Sequence, residues 1–90
     1  MITVHLPFDL ADEFHADSVV TVQARSCAGI LEMLNLQYPG MASWLAEPDG
    51  RFRVHLSVFV SGRRLPTCAH VSEEVADGSE VWILKAISGG

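Results

Sequence analysis

The sequence predicts an α+β roll: a mixed sheet of four to five strands with one main helix across one face. Three observations predict it. Short runs of alternating apolar residues, "ITVHL", "RVHLSVFV" and "EVWIL", lie near the start, in the middle and near the end of the chain. One stretch only, Cys27 to Tyr38, carries a 3.6-residue apolar period. No repeat, low-complexity segment or linker divides the 90 residues, so a single domain, 1–90, is expected, with a flexible C-terminal tail over 85–90.

The elements follow in order. In "MITVHLP", Ile2, Val4 and Leu6 fall on one face, Thr3 and His5 fall on the other, and Pro7 ends the run. Residues Asp9 to Asp17 read as a polar connection. "SVVTVQA" is β-branched from Val19 to Val22 and suits a second strand paired with the first as a hairpin. Ser26 is placed to cap a helix whose apolar positions are Cys27, Ile30, Leu31, Leu34 and Tyr38. Pro39-Gly40 stops it, Met41 to Leu45 suggest a further short turn, and "EPDG" is a loop. "RVHLSVFV" is the third strand, with Val54, Leu56, Val58 and Val60 on one face. "SGRR" is a turn, Leu65 is expected to open a short fourth strand, and Asp77-Gly78 closes a turn before the last strand, "SEVWILKAI".

The composition narrows the function classes. Hydrophobic residues at 49% against 19% charged describe a globular chain able to bury a modest core. Eleven acidic residues against six basic leave a formal charge of −5, which argues against nucleic acid and suits either a basic protein partner or plain solubility. No run approaches the ~20 apolar residues of a membrane span. Asp9, Asp12 and Glu13 interrupt any apolar leader, so a cytoplasmic protein is expected. Cys27 and Cys68 belong to no CxxC pair and read as packing residues, although spacing leaves a disulfide between them open. His5, His15, His55 and His70 show no ligand spacing, so no metal site is expected. Met33 and Met41 read as packing residues. No nucleophile set, phosphate-cradling loop or HExxH pattern is present.

What stands out is the ending. Ser88-Gly89-Gly90 follows the last strand and offers no side chain at its last two positions. At ordinary glycine usage, two given positions are both glycine in roughly one chain in two hundred. Glycine holds an end poorly, but a Cβ would widen an inserted peptide and narrow its φ/ψ range. Either the tail is frayed, as most termini are, or its lack of side chains is the point. From Lys85 to Gly90, six extended residues reach at most ~20 Å at about 3.3–3.6 Å each.

The element order β-β-α-β-β-β and the ending "ADGSEVWILKAISGG" resemble the ubiquitin-like sulfur carrier proteins. These comprise the molybdopterin synthase small subunit (MoaD), the thiazole-pathway carrier (ThiS) and the cysteine-synthesis carrier (CysO). The spacing in "VFVSGRRLPTCAHVSEEVADG" is most similar to the cysteine-carrier type, and Lys85-Ala86 stands where the molybdopterin branch tends to carry Pro-Pro. The resemblance implies a β-grasp fold and a carrier that is not itself an enzyme. It implies that an ATP-dependent adenylating enzyme of the ubiquitin-activating type activates the Gly90 carboxylate, aided by the bare Gly89. A thiocarboxylate then forms and donates its sulfur through a sulfur-accepting biosynthetic enzyme. The carrier would bind no cofactor, ATP being used by the partner. A protein modifier joined through Gly90, or a non-covalent interaction module, are the alternative readings.

Strand alternation points Val81 and Ile83 inward, leaving Phe59, Trp82 and Leu84 outward on the open sheet face. The resemblance makes that face the docking surface for the activating partner, continued along the chain by Lys85, Ile87 and Ser88. Arg63 and Arg64 read as solvated side chains at its rim. A register shifted by one residue would bury the three apolar residues instead.

Overall fold

A computed structural model describes residues 1–85 of the chain. Five strands form one mixed sheet: β1 (Ile2–His5), β2 (Val19–Val22), β3 (Leu56–Val60), β4 (Arg63–Arg64) and β5 (Glu80–Lys85). Their order across the sheet is β2-β1-β5-β3-β4. The last strand is therefore central, parallel to β1 on one side and antiparallel to β3 on the other. β1 and β2 pair antiparallel as expected, with Ile2 opposite Val22.

The described residues also form three helices: α1 (Phe8–Glu13), α2 (Cys27–Gln37) and α3 (Met41–Leu45). Ile30 and Leu34 of α2 are fully buried in one core with Ile2, Val4, Val81 and Ile83. Each such side chain contributes about 1.5–3 kcal/mol by leaving water. The cap of α2 is as expected: Ser26 is extended, and its Oγ accepts the Gly29 N–H at 3.1 Å. The free N–H groups of Cys27 and Ala28 donate to the Glu73 and Val71 carbonyls, so the 68–78 connection closes over the helix N-terminus. At the other end, Tyr38 leaves helical geometry before Pro39, with φ −131° and ψ 86°, and Gly40 takes φ +95° before α3. The connection itself consists of turns and single bridges, and Gly78 has φ +85° in the turn before β5. Met41 is fully buried, whereas Met33 is exposed.

Three expectations change. The polar connection after β1 contains α1, because the Pro7 carbonyl accepts the Ala11 N–H at 2.9 Å and Leu10 and Ala11 become buried. The third strand starts at Leu56, and Val54 is 70% exposed. Here Arg53 is tied to α3, its N–H to the Leu45 carbonyl and its guanidinium to the Ser43 carbonyl, and a turn from Arg53 to Leu56 follows. The fourth strand is Arg63–Arg64, with Leu65 buried just beyond it and its N–H on the Val58 carbonyl. Lys85, read both as part of the last strand and as the first residue of the tail, is the last residue of β5.

Candidate functional site

Inward and outward residues alternate along β3 and β5 in the expected register. Leu56, Val58, Val60, Val81 and Ile83 are buried, while Trp82 and Leu84 are 41% and 42% exposed and Phe59 is half-buried. Pairing brings the predicted residues together: Phe59 lies opposite Trp82, and Leu84 lies opposite Ser57. Partners directly opposite hold their Cβ atoms ~4.5–5.5 Å apart, so these side chains share one surface.

The same register extends the row over the whole sheet. His5 of β1 is the partner of both Val19 and Trp82, and Arg64 of β4 is the partner of Phe59. Val19, His5, Trp82, Phe59 and Arg64 thus cross all five strands on the open face. Sequence alternation placed His5 outward but could not place it beside Trp82, because that neighbourhood depends on the parallel crossover joining β1 to β5. The Arg64 guanidinium reaches Ser57 Oγ at 3.4 Å, and Arg63 lies 3.6 Å from Glu73. Both arginines are exposed.

His5 fixes the centre of this row. Its ring stacks on the Trp82 indole, with centroids 3.5 Å apart and an interplanar angle of 1°. Its Nε2–H donates to Glu80 Oε2 at 2.7 Å. The His5 hydrogen bond above all, with the Trp82 indole N–H adding to it, holds the Glu80 carboxyl below the usual carboxylate range. Glu80, His5 and Trp82 therefore brace one another, and the exposed indole is held in one orientation. Pre-ordering of this kind lowers the entropic cost of docking.

β5 carries this surface to the tail. Lys85 Nζ donates to Asp9 Oδ2 at 2.8 Å, joining the end of β5 to α1. The Lys85 hydrogen bond holds the Asp9 carboxyl below its usual range. Ile87, Ser88, Gly89 and Gly90, named from the sequence, lie outside the described residues. Cys27 and Cys68 are free thiols. Burial pushes the Cys27 thiol up to about 11, with the Glu73 charge adding to the effect, so it stays protonated and inert near neutral pH. Among the described residues, no helix is long and apolar enough to cross a membrane.

Comparison with known proteins places this geometry. The chain matches no family model. It is similar to the sulfur carrier protein CysO of Mycobacterium tuberculosis, 23% identical over 91 residues, covering 99% of this chain and 98% of the relative. A chain in the crystal structure of the Amycolatopsis orientalis BexX/CysO complex superposes with a TM-score of 0.86 at 21% identity, covering all of both chains. The crystal structure of SAMP1 from Haloferax volcanii gives 0.74 at 25% identity, covering 99% of this chain and 98% of that one. The fold is the ubiquitin-like β-grasp, and the resemblance to sulfur carriers of the cysteine-carrier type runs the length of the chain.

Proposed function

We propose that this chain is a sulfur carrier whose terminal Gly90 carboxylate is activated as an acyl-adenylate and converted to a thiocarboxylate. One observation carries the reading: β5 holds Trp82 and Leu84 on the open face and leads, within five residues, to Gly89-Gly90. Docking surface and reactive end are thus parts of one segment. A free carboxylate is a poor electrophile. Its attack on the α-phosphate of ATP, held by the partner, displaces pyrophosphate and supplies a good leaving group. Hydrosulfide, supplied by a sulfide donor, then adds at the Gly90 carbonyl carbon, and AMP departs with the electron pair of the broken C–O bond. Loss of the S–H proton leaves a thiocarboxylate whose sulfur is the nucleophile for a biosynthetic acceptor. The carrier's part is to bind and to reach. Phe59, Trp82 and Leu84 supply the apolar anchor, and the tail passes beyond Lys85 into the partner's site. Lys85, Ile87 and Ser88 continue the contact along it, and glycine at 89 and 90 keeps the inserted end narrow.

Removal of Gly90, or Gly89→Val, is expected to abolish adenylation while leaving the unfolding midpoint nearly unchanged, because both positions lie beyond the last strand. Pyrophosphate release with the adenylating enzyme measures the first effect and thermal unfolding the second. A truncated chain thiocarboxylated at the normal rate would refute the proposal.

Similarity to SAMP1, and to a structure described as the Haloferax volcanii small archaeal modifier protein 1, favours a second use of the same activated end. In that reading the Gly90 carbonyl is attacked by a target lysine, and an isopeptide bond forms. Both uses share the docking face and the adenylation step.

A further inference from the structure

Away from the open sheet face, a groove of about 260 Å³ lies between α1, α3 and the end of β5. The buried side chains of Leu10 and Leu45 line its inner side. Trp44, 53% exposed, lines it as well, and Phe14 packs edge-on against the indole at 6.4 Å. Asp12 and Glu13 supply exposed carboxylates. Lys85 also lines the groove, but its ammonium is engaged by Asp9. Among the described residues neither Asp12 nor Glu13 has an ion-pair partner, and positions 86–90 carry no cationic side chain. An apolar floor, an indole and two uncompensated carboxylates therefore meet at one place.

We propose that this groove receives an arginine side chain, presented by an apolar segment of the protein that takes up the tail. Arginine fits on three counts. Its planar guanidinium stacks on an indole, and its fork of N–H donors matches a carboxylate. The net charge of −5 favours the approach of a cationic segment. The position fits too: the five residues beyond Lys85 extend at most ~18 Å, so whatever holds Gly90 has its surface within that reach of the groove. The identity of the partner rests on the tail-delivery reading above, whereas the chemistry of the groove does not.

The test uses the full chain, 15N-labelled, and two peptides, acetyl-Leu-Arg-Leu-amide and its Glu counterpart. The Arg peptide is expected to move the Trp44 indole N–H signal in a saturable way and to leave that of Trp82 in place, while the Glu peptide moves neither. The variant Asp12→Asn/Glu13→Gln, with a dispersed spectrum showing that it is folded, should bind the Arg peptide roughly fivefold more weakly, the scale of an exposed charge contact. A Trp44 signal unmoved by the Arg peptide would overturn the proposal, as would equal movement of Trp82 or undiminished binding by the double variant. The readout needs neither ATP nor sulfur, so its outcome is separate from that of the carrier reading.

Discussion

Trp82 and Ile83 are neighbours on opposite faces of β5, which makes the pair a sensitive probe of the proposed docking face against stability. Trp82 is 41% exposed and stacked on His5, whereas Ile83 is fully buried. Trp82→Ala is expected to weaken binding to the adenylating enzyme by ~2 kcal/mol, the scale of an aromatic anchor at an interface centre, with a small change in unfolding midpoint. Ile83→Ala should cost ~2–5 kcal/mol of stability by leaving a cavity, with affinity per folded molecule unchanged. Calorimetric titration and thermal unfolding separate the two, and the reverse pattern would mean that the docking face lies elsewhere. The cysteines offer a second contrast. At pH 8 a thiol reagent should modify one cysteine in the folded chain and two in denaturant, Cys27 being the protected one. Its raised thiol pKa also has a sign: the unfolded thiol ionises near 9 and the folded one near 11, so stability falls as pH rises through that window. Cys27→Ala and Cys68→Ser should both retain sulfur loading, since the sulfur proposed here sits on a carbonyl carbon.

Among the elements, those with strong periodicity were legible and those made by tertiary contact were not. The alternation in "EVWIL" assigned both faces of β5, and Ser26 with the Cys27–Leu34 spacing located α2. Short α1 escaped notice because its six residues are half polar. Its signal was Leu10, Ala11 and Phe14 at helical spacing after Pro7, with Asp9 in the first turn. Val54 was assigned to a strand on alternation alone, but the hydrogen bonds of Arg53 to α3 put a turn there. The row from Val19 to Arg64 was only half visible. The outward placing of His5, Phe59 and Trp82 followed from pattern, while the place of His5 beside Trp82 needed the parallel β1–β5 register. That register gives a prediction of its own: His5→Ala should free the Trp82 indole, seen as altered near-ultraviolet circular dichroism, and should reduce partner affinity by less than Trp82→Ala does.

At the scale of the molecule, the topology suits the delivery of a reactive end proposed above. The last strand is the central one, held by β1 and β3 on either side, so the segment that leads to Gly90 is anchored in the middle of the sheet. Sequence similarity to CysO runs the whole length, yet the chain superposes on SAMP1 as well, so the fold does not separate carrier from modifier. Lys85 is the sole lysine, so self-linked chains through a lysine would have a single acceptor, already paired with Asp9. What distinguishes the readings is the atom attached at the Gly90 carbonyl. The most direct measurement is the intact mass of the chain taken from its native cell, before and after treatment with a thiol reductant. Sulfur carriage predicts a species in which one sulfur has replaced one oxygen, resistant to the reductant and absent from a chain lacking Gly90. A chain found only unmodified, or carrying a sulfur gained without loss of oxygen and removed by the reductant, would contradict it.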